Sequence, residues 1–98
     1  MEYPVYRKES QFMLSIKLYS EALGWKYYHP YDSRKSNPGF PDITMVRESR
    51  LIFAELKIGK NKLSYYQKEW LVALKQVSNI EVYLWYPSDW DKIEKILR

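Results

Sequence analysis

The stretch GFPDITMVRESRLIFAELK, residues 39–57, decides the fold, because two apolar segments flank a short polar turn. This pattern predicts a β-hairpin with strands at about 42–46 and 51–57. One strand opens on Asp42, and the other closes on Glu55 with Lys57 just beyond. Charged side chains are uncommon in strands of this kind, so these three need a reason other than packing.

The register of the hairpin brings the charges together. A turn at residues 47–50 places Asp42 directly opposite Glu55, with Cβ atoms about 4.5–5.5 Å apart, and the two-residue strand period adds Lys57 to the same face. Opposed carboxylates repel each other, and a divalent cation offsets that repulsion. The backbone carbonyl of Leu56 is a further candidate ligand. The pattern therefore predicts a site for Mg²⁺ or Mn²⁺.

Simpler interpretations of the same residues remain open. Asp42 follows a proline and is suited to capping a turn. Glu55 and Lys57 are also compatible with an exposed pair at a strand end. Neither the Pro-Asp pair nor the Glu-Leu-Lys triplet is specific alone, and it is their convergence in the hairpin that favours a site.

A first helix is predicted before Gly24 by apolar residues at helical spacing. These residues are Phe12, Ile16, Tyr19 and Leu23. Glu9 lies three residues before Phe12 and four before Met13, so it shares their buried face. A carboxylate at the end of an apolar stripe is a candidate functional group.

The remaining segments complete an αβββαβα order. WKYYH predicts a short strand ended by Pro30. A second helix begins after Ser64, and Gln67 completes a capping box with it. IEVYLWY is apolar on nearly both faces and predicts a buried strand parallel to residues 51–57. PSDWDKIEKILR predicts a final helix capped by Ser88. We therefore expect an α/β fold with a central mixed sheet flanked by helices.

Composition limits the classes of protein that are possible. The 98 residues suffice for one domain, residues 1–98, and 46% of them are apolar. With no cysteine and one histidine, His29, a disulfide framework and a thiolate zinc site are excluded. The chain has no signal-like segment and no run of 18 apolar residues, so we expect a cytoplasmic protein without membrane contact. The net charge of +4 leans toward polyanionic partners.

The hairpin motif, GFPD followed by twelve residues and ELK, resembles the PD-(D/E)XK nuclease superfamily. The closer resemblance is to its virus-type replication-repair nuclease (VRR-NUC) family. It extends over ESQF, YYHPYDSRKSNPGFPD, AELKIGKNKLSYYQKEWL and EVYLWYPSDWD, and so over almost the whole chain. It implies a restriction-endonuclease-like core. One departure is Tyr65, where the family often has proline; the position is the first of a helix, so we expect no loss of chemistry.

The resemblance also implies roles for individual residues. The metal ligands that it implies are Glu9, Asp42, Glu55 and the carbonyl of Leu56. Lys57 resembles the lysine that positions or polarises the attacking water. Gln67 matches a glutamine of the active site, so helix capping is not its only candidate role.

The function that the resemblance implies is metal-dependent, structure-selective hydrolysis of DNA, with branched DNA such as four-way (Holliday) junctions as substrate. Basic loop residues are expected to contact phosphates, namely Arg34, Lys35, Lys60 and Lys62. Two symmetric cuts favour a homodimer, and ten tyrosines and four tryptophans supply interface material. The alternatives are flap-directed, nick-directed or single-strand cleavage, an inactive DNA-binding module of the same fold, and a partner-binding domain.

Overall fold

The computed structural model describes residues 6–30 and 36–98. The helices are α1 (Glu9–Ala22), α2 (Tyr65–Lys75) and α3 (Trp90–Leu97), the last preceded by a 3₁₀ turn over Pro87–Asp89. The strands are β1 (Lys26–Tyr28), β2 (Ile43–Arg47), β3 (Arg50–Leu56) and β4 (Glu81–Trp85). The predicted αβββαβα order is confirmed.

The four strands form one mixed sheet in the order β1-β2-β3-β4. β2 is antiparallel to both β1 and β3, whereas β3 and β4 are parallel. Ile43 pairs with Ala54 and Arg47 with Arg50, so the tight turn is the predicted one. Continuing this register by one residue sets Asp42 opposite Glu55. The α/β class, the mixed sheet and the hairpin register are therefore all confirmed.

One face of the sheet packs against α1 and α3. Residues of even number in β3 and odd number in β2 point to this side, because successive side chains alternate. The buried cluster on this side includes Phe12, Ile16, Ile43, Met45, Ile52, Ala54, Leu56, Ile93 and Leu97. These side chains are fully buried. The predicted helical stripe of α1 supplies the first two of them.

The opposite face of the sheet carries α2 and the acidic residue of β3. Phe53 points to this face, and Phe40 packs edge-on against it with ring centroids 5.7 Å apart. Phe40 also packs edge-on against Trp70 of α2, at 5.0 Å. Glu55 shares this face with Phe53, so the candidate site lies between the sheet and the beginning of α2.

Gly39 allows the loop before β2 to approach α2 closely. Its φ of +92° is a conformation that glycine adopts readily. A Cβ atom built at this position would lie 2.6 Å from the backbone oxygen of Tyr66, closer than side chains tolerate. The loop that leads to Asp42 therefore depends on glycine to rest against the first turn of α2.

Two local predictions need correction. The sequence predicts that β4 is buried on both faces, but only Trp85 is buried and the other four residues are half-buried. The reason is that β4 lies at the edge of the sheet that the described residues form. Ser88 does not cap α3: it lies exposed within the 3₁₀ turn, and Asp89 is the N-cap residue. The Asp89 carboxylate instead accepts a hydrogen bond from the Tyr86 N–H, at 2.8 Å.

Candidate active site

Asp42 continues the β2–β3 ladder with its side chain. It lies just before β2, and its Oδ2 accepts a hydrogen bond from the backbone N–H of Leu56 at 2.8 Å. In an ordinary antiparallel ladder that N–H would bond to a backbone carbonyl of the facing strand. The carboxylate is thereby held at the open end of the hairpin, and among the described residues it makes no turn-capping hydrogen bond.

The backbone carbonyl of Leu56 points toward the same end of β2. Lys57 donates its N–H to Trp85 of β4 at 3.0 Å, so the preceding residue directs its N–H and carbonyl toward β2. The register sets Pro41 opposite Leu56, and proline has no N–H to donate. Sequence and register together thus leave this carbonyl without its usual ladder donor, as a metal ligand requires.

Glu55 is buried, with a side chain that is 2% exposed. Its Oε2 accepts a hydrogen bond from Gln67 Nε2 at 2.9 Å and lies 3.8 Å from Lys57 Nζ. Its Oε1 is buried and has no hydrogen-bond partner among the described residues. Buried carboxylate oxygens are normally paired, so a site of this kind calls for a proton or a cation.

The pKa of Glu55 responds to this environment. Burial raises it first, the nearby negative charge of Asp42 raises it further, and the Lys57 ammonium opposes both effects. The charge of Glu9 also raises it, and the resulting pKa is about 8. Glu55 is therefore expected to hold a proton in the neutral range when no cation is present.

Lys57 is close to Glu55 and is itself largely buried. Its side chain is 12% exposed. The predicted alternative of an exposed Glu55–Lys57 pair at a strand end is therefore wrong. An ammonium group held in this way is a positive charge of fixed position beside the carboxylate pair.

Gln67 caps α2 as predicted and also contacts Glu55, while its role in an active site stays a prediction. Its Oε1 accepts a hydrogen bond from the Ser64 N–H at 2.8 Å, and Ser64 Oγ accepts one from the Gln67 N–H at 3.2 Å, which completes the predicted capping box. Its Nε2 reaches across to Glu55. The helix cap and the acid are therefore joined by one side chain.

Glu9 faces the same region from the first turn of α1. Burial raises its pKa, the charge of Lys57 opposes that rise, and the charge of Asp42 adds to it. Over residues 6–30 and 36–98, however, no group of three or more histidine, aspartate or glutamate side chains is arranged to hold a metal ion. The role of Glu9 as a metal ligand stays a prediction.

The remaining donor set fits a hard divalent cation. It consists of oxygen atoms only, from Asp42, Glu55 and the carbonyl of Leu56, and Mg²⁺ and Mn²⁺ prefer such ligands. Mg²⁺ in proteins usually keeps several water ligands, so few protein ligands suffice. The partnerless buried oxygen of Glu55, as far as the described residues show, is the observation that favours this fit.

Two side chains near the site, those of His29 and Tyr27, were not predicted from the sequence as part of it. His29, expected to be a structural or surface residue, places its Nδ1 2.6 Å from the backbone oxygen of Asp42. Burial and then the charges of Asp42 and Glu21 raise the pKa of Tyr27 to about 12. The nearness of both residues to Asp42 depends on the pairing of β1 with β2.

The phosphate contacts predicted for four basic residues stay predictions, and two of these residues lie in the described part of the chain. Lys60 and Lys62 are exposed in the loop that follows β3, next to the site. That loop is fastened by the Tyr86 hydroxyl, which donates to the Asn61 carbonyl at 2.6 Å. Arg34 and Lys35 lie outside the described residues.

Comparisons with protein-family models, with curated proteins and with solved structures yield no match to this chain. The resemblance to the PD-(D/E)XK and VRR-NUC nucleases therefore rests on the residues themselves. In the part of the chain that the structure describes, no helix is long and apolar enough to cross a membrane.

Proposed function

We propose that this protein is a Mg²⁺- or Mn²⁺-dependent DNA endonuclease with a PD-(D/E)XK core of the VRR-NUC type. The observation that carries the proposal is the buried Glu55 opposite Asp42, with one oxygen lacking a partner among the described residues and with a lysine beside it. Burying Asp42, Glu55 and Lys57 together destabilises the metal-free fold. Side chains that cost stability in this way are often found at functional sites, which supports a catalytic role for them.

The proposed reaction is hydrolysis of a phosphodiester. Asp42, Glu55 and the Leu56 carbonyl would hold the metal ion, with Glu9 as a further predicted ligand. When bound, the ion supplies positive charge against the negative charge that develops on the phosphate oxygens. Lys57 adds a second positive charge near the attacking water. Gln67 fixes the orientation of the Glu55 carboxylate through its amide N–H.

The proposed substrate is DNA recognised by its shape. Branched DNA, such as a four-way junction, is our preferred substrate, and flap- or nick-directed cleavage is the alternative. Because one hairpin site cuts one strand, symmetric cleavage of a junction calls for a homodimer with two sites. A basic rim formed by the four loop cations would contact phosphates. An inactive module that binds DNA with the same fold is the second alternative.

A cleavage panel tests the proposal. Labelled linear, nicked, flapped and four-way DNAs are incubated with the wild-type protein in Mg²⁺, in Mn²⁺ or in EDTA. We expect metal-dependent cuts in the branched DNA. Cutting of flapped or nicked DNA in preference would select the alternative specificity. Binding without cleavage in either metal would favour the inactive DNA-binding module. The absence of both binding and cleavage would refute the proposal.

Sedimentation equilibrium, with and without a four-way junction, tests the assembly. We expect a dimer at micromolar concentration. A strict monomer in both states would remove the homodimer and, with it, the symmetric resolution of junctions.

A further inference from the structure

A cleft with aromatic walls opens beside Asp42 and Gln67. Its volume is about 790 Å³, and its walls include Tyr28, Phe40 and Trp70. The Tyr28 side chain is 62% exposed and Phe40 is 39% exposed, although both are large and apolar enough to be buried. We call this space the aromatic cleft. It reaches the candidate active site directly, because Asp42 and Gln67 are part of its wall.

A second depression continues from the aromatic cleft along the edge of the sheet. It lies between α1 and β1, has a volume of about 550 Å³, and is lined by Met13, Leu14, Lys17 and Tyr27. We call it the α1–β1 groove. Tyr28 and His29 line both spaces, so the two adjoin at these residues and together make a path that begins beside the candidate site.

The chemistry of this path fits a nucleic-acid strand whose bases are unpaired. Unpaired bases stack on exposed aromatic rings, and each such stack contributes about 1–3 kcal/mol with little dependence on base identity. Tyr28 offers such a ring at the point where the two spaces meet. Leu14, which is 53% exposed in the groove, adds an apolar wall.

A cation lies farther along the path. Lys17 pairs with Glu21 at 3.0 Å and lies 5.9 Å from the centre of the Tyr27 ring. Its side chain is 44% exposed, so its ammonium can still meet a phosphate of a strand lying in the groove. A path with a stacking surface and a cation near the site of phosphate chemistry matches single-stranded DNA better than duplex DNA, whose bases are not accessible to stacking.

We propose that the aromatic cleft and the α1–β1 groove bind an unpaired segment of DNA, with Tyr28 as the platform on which a base stacks next to the phosphate to be cut. This inference rests on the proposed nuclease function and makes it more specific. The substrate would carry unpaired nucleotides at the cleavage position, as at an opened branch point or a flap.

The test measures binding without cleavage. Fluorescein-labelled dT15 and a 15-base-pair duplex are titrated in EDTA, and fluorescence anisotropy gives the affinity for each probe. Tyr28→Ala should weaken binding of dT15 by about tenfold or more, as expected for the loss of one stack, and should change duplex binding by much less. Tyr28→Phe keeps the ring and should bind dT15 like the wild type.

Tyr65→Ala is the matched control. Tyr65 is 70% exposed and is not among the described residues that line either space. We expect it to leave the affinity for dT15 unchanged. A base analogue whose fluorescence is quenched by stacking, placed at successive positions of the strand, should lose its quenching in Tyr28→Ala alone.

The outcomes separate this inference from the proposed function. Unchanged dT15 binding in Tyr28→Ala, or an equal loss for dT15 and duplex, overturns the inference even if wild-type protein cleaves branched DNA with Mg²⁺. Tyr28-dependent binding of dT15 without any cleavage in Mg²⁺ or Mn²⁺ supports the binding site for unpaired DNA and contradicts the proposed nuclease function. Absence of binding to both probes overturns the inference, and cleavage of branched DNA then decides the function independently.

Discussion

The two ends of the β2–β3 hairpin differ in the environment of their charged side chains. At the turn end, Arg50 binds Glu81 through two hydrogen bonds, Nε to Oε2 at 2.8 Å and Nη2 to Oε1 at 2.7 Å. These hydrogen bonds lower the pKa of Glu81. At the open end, burial and the negative charge of Asp42 raise the pKa of Glu55 to about 8. The pKa values of these two carboxylates, which lie on the neighbouring strands β3 and β4, are thus shifted in opposite directions.

The turn end also fastens the C-terminal helix. Arg47 donates hydrogen bonds to the backbone oxygens of Leu23, Leu97 and Arg98 at 3.1, 2.9 and 2.8 Å. Its guanidinium lies 4.7 Å from the centre of the Trp25 ring. Paired charges at this end stabilise the fold, whereas at the open end a buried oxygen of Glu55 has no hydrogen-bond partner among the described residues. The difference indicates which end is available for chemistry.

The largest expected effect is a difference in DNA cleavage between variants of Glu55 and of Glu81. Glu55→Gln should lower cleavage by about 1,000-fold, the upper end of what loss of a single electrostatic group costs. It should also leave the metal-free protein at least as stable, because the glutamine amide never ionises and so carries no charge that must be buried or protonated on folding. Glu81→Gln is the matched control and should cleave like the wild type. Equal activity in the two variants, measured under single-turnover conditions, would contradict the comparison.

Lys57→Met should reduce turnover by about 100-fold while DNA affinity in EDTA stays within about twofold. The reason is that the ammonium acts on the reacting phosphate and is not a metal ligand. Calorimetric titration with Mn²⁺ should still detect binding. Full activity of this variant would remove Lys57 from the mechanism.

Arg47→Met should lower the free energy of unfolding by about 1–3 kcal/mol, because two partly buried carbonyls, those of Leu23 and Leu97, lose a charged donor. Lys26→Met is the control: it is exposed on β1 and should change stability by less than about 0.5 kcal/mol. Urea denaturation in EDTA measures both. Equal stability of the two variants would show that the turn end is not the stabilising one.

The pH dependence of stability should have two limbs of opposite sign. Between pH 4.5 and about 8 the folded protein holds a proton on Glu55 that the unfolded chain releases, so the metal-free fold loses stability as pH rises. Glu9 acts in the same direction. The pKa of Glu81 is lowered, so its contribution is lost as pH falls below 4.5. Glu55→Gln should flatten the upper limb and Glu81→Gln the lower, in urea melts at a series of pH values.

The smallest expected effect concerns the exposed cations at the two ends. Replacing Lys60 and Lys62 by alanine should reduce the slope of log affinity against log salt by up to about two, since each phosphate contact contributes about 0.9. Lys26 pairs with Val46 near the turn end. Lys26→Ala should leave the slope unchanged, and a slope that responds only to Lys26 would place the DNA at the wrong end of the hairpin.

The parts of this structure that could be predicted depend on short connections. A tight turn fixed the β2–β3 register, so the opposition of Asp42 and Glu55 followed from the sequence. Residues 29–42 connect β1 to β2, and a connection of that length leaves the register free. The contact of His29 with Asp42 was therefore beyond reach.

Burial and long-range contacts were the other obstacle. Repulsion between the two acids was expected, but the near-complete burial of Glu55 depends on α2 packing over the face that Phe53 shares. The contacts of Arg47 with Leu97 and Arg98 join residues about half the chain apart. No local pattern encodes such a contact. The edge position of β4 likewise depends on the order of all four strands.

The amide of Gln67 has both of its ends committed, since its oxygen accepts from Ser64 and its nitrogen donates to Glu55. A side-chain flip would place like groups together at both contacts, so its orientation is unambiguous. We therefore expect a shift of the Glu55 carboxylate on ligand binding to move the Gln67 side chain and, through it, the start of α2. Trp70 lies three residues after Gln67 in the same helix, so we expect its fluorescence emission to respond to events at Glu55.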